Sequence, residues 1–254
     1  MKNKVQRVSR GQFFGQQLKI KVGIICPLDD EYNTCKEMLD LENESELSGR
    51  IISERKEDDV EVYAIKAGVG KINCSSATQL VIDELHADFV IDAGVAGSLA
   101  EDVTINDIVC GKYIFEYDPH TGEILDKNTP FTWSTLCDFP NKKEFNKFIN
   151  WSKETENIKI KIGNIASGER DVNSIEFKQV LNKNFNAIAC NWETSSILQT
   201  AKFNEAKGFS FRIIVDEADE DMDGSFDKNC QPALQKLFLV LNEFVFGGWI
   251  QKFC

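Results

Sequence analysis

The chain has 254 residues, of which 42% are hydrophobic, 28% charged and only 5 proline, a composition that buries a core and excludes collagen-like, mucin-like and disordered tracts. By length it holds one large α/β domain or two small ones. Its 41 acidic against 29 basic residues leave a net charge of −12, which repels a polyanion and argues against nucleic acid as a partner.

Residues 1–18 carry Lys2, Lys4, Arg7 and Arg10 without an acid and are expected to form a flexible basic extension, with one domain over residues 19–254. From Lys19 a β-branched run ending at Cys26 has the make-up of a buried first strand, and Asp29 and Asp30 open a helix whose apolar side is Leu28, Tyr32, Cys35 and Leu39. Two β-rich segments follow, near Arg50–Ser53 and Val60–Ala67, the second leading into Gly68-Val69-Gly70-Lys71. A helix is predicted over about Asn73–Leu85, then an apolar strand Ala87–Gly94 stopped by a small-residue turn at 94–98. Strand, helix and strand with glycines at the strand ends read as βαβ units and place the chain in the α/β class. The segment Tyr117–Phe139 is polar and aromatic, and so long an excursion has the character of a functional lid. Regular structure resumes with a helix at Lys142–Thr155, a strand at Ile158–Ala166, a short helix at Ser174–Leu181 and a strand at Ala187–Cys190. A helix then continues to about Ala206, a strand at Phe209–Val215 ends in Asp216, and a terminal helix spans about Gln231–Phe253.

No run approaches the 18 apolar residues of a membrane span and no secretory leader is evident, so a soluble, cytoplasmic chain is expected. The eight cysteines form no CxxC pair and are read as reduced thiols. His86 and His120 are the only histidines and have no ligand spacing, which supports neither a metal site nor a Ser-His triad. Chemistry is left to carboxylates, backbone and hydroxyls. Glu31, Glu193 and Asp216 each lie at or just past the end of a predicted strand, where open α/β sheets form their ligand crevice. One such acid is ordinarily a helix cap. Three of them, with glycine turns that let backbone approach a ligand, point to a site. A carboxylate-only site suits glycosidic cleavage, because fixed negative charge stabilises an oxocarbenium ion and a protonated acid assists the leaving group.

The order of motifs resembles the nucleoside phosphorylase/nucleosidase superfamily, and most closely its 5'-methylthioadenosine/S-adenosylhomocysteine nucleosidases, over residues 19–246. The matching segments are KVGIICPLDDE at 21–31, GVGK at 68–71, DAGVAGSL at 92–99, NIASG at 164–168, NWETS at 191–195 and FRIIVDEAD at 211–219. The resemblance implies one three-layer αβα domain with a twisted, mostly parallel mixed central sheet, no cofactor, a small-molecule nucleoside as substrate and a homodimer. It implies that Glu31 activates water, that Glu193 grips the ribose hydroxyls, and that Asp216, when protonated, donates to purine N7. It also implies that Trp192, Val95, Gly97, Asp171 and Val172 line the substrate. Arg212 matches a family position, although an arginine between acids on a strand is ordinarily their structural partner. The terminal helix, with Leu234, Leu237, Phe238, Leu241, Phe244 and Val245, carries more apolar surface than one face requires, which adds to the expectation of a dimer.

Four positions depart from the family pattern: Val95 replaces a serine near the sugar, Asp171 an aromatic residue that stacks on the purine, Trp192 a methionine and Asn191 a glutamate. Phe131 or Trp133 from the long excursion could supply a ring instead. These departures keep a non-catalytic nucleoside-binding protein of the same fold in view. A phosphate-dependent phosphorylase fits less well, because the places of its two phosphate-binding arginines read Pro27-Leu28-Asp29-Asp30 and Asp92-Ala93, and acids repel phosphate.

Overall fold

Apolar side chains on consecutive residues, pointing alternately to the two sides, make a strand that is buried on both faces. The computed structural model describes residues 19–118, 134–136 and 142–253. In it, β1 (Ile20–Cys26) runs parallel to both β4 (Val60–Lys66) and β5 (Phe89–Ser98), and β5 runs parallel to β10 (Lys207–Asp216). Ile24, Ile91 and Phe211 face one apolar layer, while Ile25, Val90 and Ile214 face the other. All of β5 is buried.

The sheet has ten strands. Strand β10 pairs with β5 on one side and with β6 (Ile108–Glu116) on the other. From β6 the sheet continues through β8 (Ile160–Ser167) and β9 (Ala187–Asn191) back to β5, so these five strands close on themselves. An open arm leaves β5 through β1 and β4 to β3 (Arg50–Lys56) and β2 (Asn43–Leu47), and β7 (Ser134–Leu136) pairs with β6.

Helices cover both faces, which gives the expected three-layer α/β architecture. On one side α1 (Asp29–Met38), α3 (Lys142–Thr155) and α6 (Met222–Phe246) bury Tyr32, Cys35, Phe145, Phe148, Leu237 and Phe244 against the sheet. On the other, α2 (Lys71–Asp83) and α5 (Thr194–Phe203) contribute Ala77, Val81, Ile197 and Leu198. The first side is rich in rings: Phe148, Phe209 and Phe211 lie with centroids 5.0–5.5 Å from that of Phe244. Each such buried ring contributes roughly 1.5–3 kcal/mol from area alone. A shorter helix, α4 (Ile175–Phe185), starts where Ser174 Oγ accepts from Phe177 N at 3.3 Å and stops at left-handed Asn186.

Several boundaries differ from those read in the sequence. Strand β5 does not turn at Gly94 but continues to Ser98, because its glycines make room for carboxylates: a Cβ on Gly94 would lie 2.1 Å from Glu31 Oε1, and one on Gly97 2.7 Å from Asp216 Oδ1. Strands β2 and β6 went unassigned in the sequence. The terminal helix begins nine residues earlier than predicted, at Met222, and ends at Phe246, where Gly247 and Gly248 (φ +80°) break it before a 3₁₀ turn at Ile250–Phe253. Leu234, Leu237, Phe238, Leu241, Phe244 and Val245 are all fully buried within the chain, so this helix has no spare apolar face and the dimer expectation stands on the resemblance alone. Cys26, Cys35, Cys74, Cys110, Cys190 and Cys230 are buried free thiols. The basic extension 1–18, the excursion residues 119–133 with Phe131 and Trp133, and Cys137 and Cys254 lie outside the described residues. Among those residues no helix is long and apolar enough to cross a membrane.

Candidate active site

A cavity of about 330 Å³ opens beyond the ends of β1, β5, β8, β9 and β10, the size of a small-molecule site. Glu31 enters it from the first turn of α1. Its Oε2 accepts from Leu28 N at 2.8 Å, satisfying a donor at the helix start, and its Oε1 accepts from Val95 N on β5 at 2.9 Å. The carboxylate is 1% exposed. Burial raises its pKa from 4.5 to about 7, against the lowering pull of Arg212 and of the Leu28 N–H. Glu31 therefore exchanges a proton near neutrality, as a general base does.

Arg212, on β10, is the cation at the floor. It forms a two-nitrogen pair with buried Asp92, with Nε 3.0 Å from Oδ2 and Nη2 bonded to Oδ1, and Nη1 donates to Val95 O at 3.3 Å. Asp92 also accepts from Thr194 Oγ1 at 2.6 Å and Ser210 Oγ at 2.7 Å. Glu31 and Glu193 are farther from the guanidinium, at 3.9 and 3.8 Å. Asp92 thus takes two of the N–H donors of Arg212, and the two outer carboxylates feel the same positive charge from a greater distance. A buried arginine fixed in this way is a scaffold for acids, in keeping with the structural role expected of it.

Glu193 stands at the junction of β9 and α5. Its Oε1 accepts from Gly70 N at 3.3 Å, at the N-terminus of α2, and burial raises its pKa against the pull of Arg212. Asp216, at the end of β10, lies on the far side beside Gly97. Its Oδ1 accepts from Ala218 N at 2.8 Å; burial raises its pKa, the Ala218 hydrogen bond opposes this, and the neighbouring Asp219 and Glu217 charges add to it. Burial thus raises all three carboxyls, and in each case hydrogen-bond donors of its own oppose the shift.

Of the residues singled out in the sequence, Glu31, Val95, Gly97, Asp171, Val172, Trp192, Glu193 and Asp216 line this one cavity. Asn191 lines it too, although its side chain is spent on α5: Oδ1 accepts from Thr194 N at 3.2 Å and Nδ2 bonds Thr194 Oγ1. Sequence reasoning missed Met222, Asp223 and Phe226, from the first turns of α6, and Tyr117, Arg170 and Val69. Phe226, Cys230, Ala233 and Leu237 form one helical stripe, a signal obscured by the acids and Gly224 around it.

The phosphorylase superfamily model matches residues 21–245. The chain belongs to the phosphorylase superfamily. As a superfamily member it is 31% identical over 216 residues to a 5'-methylthioadenosine/S-adenosylhomocysteine nucleosidase of Buchnera aphidicola, covering 83% of this chain and 90% of that one. It is 26% identical over 216 residues to the aminodeoxyfutalosine nucleosidase of Helicobacter pylori, covering 85% and 93%. Its fold superposes with a TM-score of 0.79 on a mutant Helicobacter pylori MTAN with 5'-methylthioadenosine in the active site, at 23% identity and covering 91% and 100% of the two chains.

Proposed function

We propose that this chain hydrolyses the N-glycosidic bond of an adenine nucleoside of the methylthioadenosine or S-adenosylhomocysteine type, releasing adenine. The observation that carries the reading is Glu31, a buried carboxylate with a pKa near 7, held by two main-chain N–H groups and facing the same cavity as Glu193 and Asp216. Glu31 takes a proton from water as the water oxygen bonds the anomeric carbon. Glu193 accepts from the ribose hydroxyls and steadies the sugar cation. Protonated Asp216 donates to N7 as the carbon–nitrogen bond breaks, so the bonding pair leaves with a neutral base.

Water rather than phosphate is the nucleophile on this reading. Arg212 is already paired with Asp92, and the loop after β1 presents Pro27 and Leu28 to the cavity. An anion there would face Glu31 and Glu193, and the arginine beside both, Arg212, is already paired with Asp92. Phe226 and Trp192 are the rings that flank a bound nucleoside, with Asp171 where the family stacks an aromatic side chain. The chain works in the cytoplasm as a homodimer, with residues 19–254 as its single catalytic domain.

The test is the set Glu31→Gln, Glu193→Gln and Asp216→Asn, assayed for adenine release. Each should remain folded and lose about 10²–10⁴ in kcat. Because the acids serve one transition state, the losses should be far from additive. Three variants with wild-type rates would reduce these acids to helix caps.

A further inference from the structure

A second, partly buried charge network lies behind the cavity wall, centred on Lys71 at the start of α2 and closed by the exposed Glu169. Its ammonium is 2.8 Å from Glu116 Oε1 and 2.6 Å from Asp118 Oδ1, both at the end of β6, and all three side chains are about four-fifths buried. Among the described residues Lys71 is the only cation paired with either acid. Desolvation works against its charge, and the hydrogen bonds it donates to Asp118 and Glu116 outweigh that effect and raise its pKa.

The network closes on itself. Asp118 Oδ2 accepts from Glu169 N at 2.8 Å, and Glu169 Oε1 accepts from Lys71 N at 2.6 Å. Side chain, loop and main chain therefore form a ring. Glu169 belongs to the β8–α4 loop, whose next residues Arg170, Asp171 and Val172 line the cavity. Tyr117 clamps the same loop by donating to Gly168 O at 3.0 Å and Arg170 O at 2.8 Å. On the other side, Gly70 donates its N–H to Glu193. Gly70 sits at φ +96°, and a Cβ there would come 2.7 Å from Glu169 Oε1, so the junction is built around a missing side chain. Glu116 further accepts from Gln199 Nε2 at 3.4 Å, on α5, the helix that Glu193 begins.

We infer that Lys71 is a positioning residue, a hub that sets both the sugar-gripping Glu193, through Gly70, and the base-facing loop 169–172, through Asp118 and Glu169. The inference rests on the nucleosidase reading for its kinetic consequence and on the geometry alone for its structural one. Removing the ammonium leaves Glu116, Asp118 and Glu169 as three carboxylates with no counter-charge among themselves, and their mutual repulsion opens the ring. Misplacing such groups by about 1 Å costs on the order of tenfold to a hundredfold in rate. The effect should fall on kcat/KM as a whole, kcat through the displaced Glu193, which steadies the sugar cation, and KM through the base-facing loop.

The experiment compares Lys71→Met, Lys71→Arg and, as a control, Lys161→Met, which loses an exposed pairing with Asp102. With methylthioadenosine as substrate, Lys71→Met should lower kcat/KM by about tenfold to a hundredfold, Lys71→Arg should return to within about threefold of wild type, and the control should match wild type. Amide hydrogen exchange on the unliganded protein should be at least about tenfold faster at Gly70, Lys71 and Glu169 in Lys71→Met only. Unchanged exchange, or faster exchange with unchanged kinetics, overturns the inference. Should Lys71→Met fail to fold, Lys71→Gln removes the same ammonium while keeping a hydrogen-bond donor and must show both effects. If the wild type releases no adenine, the nucleosidase reading fails, and exchange at these three amides still decides the structural role of Lys71.

Discussion

Replacing Glu31 by Gln should destroy turnover and yet stabilise the protein selectively at alkaline pH. The folded carboxyl has a pKa of about 7, above its ordinary 4.5, because burial outweighs the help of Arg212 and two main-chain N–H groups. A raised carboxyl pKa means that the folded state binds the proton more tightly than the unfolded chain. Its contribution is complete below pH 4.5 and is lost as pH rises through 7. Linkage between those two values makes this group contribute about 2 kcal/mol more at pH 5.5 than at pH 8.5. Glutamine keeps an acceptor for the Val95 N–H and never ionises. It loses one acceptor at Leu28 N, a cost of roughly 1 kcal/mol at every pH. The stability of the variant relative to wild type should therefore rise by about 2 kcal/mol between pH 5.5 and 8.5, which is about 4–8 °C in relative Tm for a chain of this size. Paired thermal melts at the two pH values measure it. A difference between variant and wild type that does not move with pH would refute the raised pKa, and with it the case for Glu31 as a base near neutrality.

Gly94→Ala should abolish activity, because the new Cβ would lie 2.1 Å from Glu31 Oε1 and must displace that carboxylate; retained kcat would show that Glu31 is free to move. Arg212→Met should leave buried Asp92 without its counter-charge and cost about 3–5 kcal/mol, seen as a large fall in Tm. An unchanged melt would show that the acids do not depend on it. Adenosine or methylthioadenosine should exceed inosine in kcat/KM by about tenfold to a hundredfold, because Asp216 can accept from a 6-amino group but opposes a 6-oxo group. Equal values would mean that Asp216 does not read the base. Light scattering at micromolar concentration should find twice the monomer mass of 28.7 kDa, and a pure monomer would remove the homodimer from the account.

The three acids were legible because each follows an apolar strand, and the α/β class followed from strand, helix and glycine order. Glycines 94 and 97 were visible but misread: a turn and a strand glycine against a carboxylate look alike until the packing is known. Strand β6 escaped because it joins the sheet through β8 and β10, far along the chain, with no local alternation to mark it. Phe226 was hidden by the acidic start of α6. The Lys71 ring could not be read at all, since its hydrogen-bonded pairs are separated by 45 to 98 residues and become neighbours only when β6, α2 and the β8–α4 loop meet.

The most direct test of the account is to incubate the purified protein with methylthioadenosine in phosphate-free buffer and separate the products by chromatography. Hydrolysis yields free adenine with an equimolar free sugar, at a rate that added phosphate leaves unchanged. No adenine at any concentration of enzyme, or adenine that appears only with phosphate and beside a sugar 1-phosphate, would contradict it.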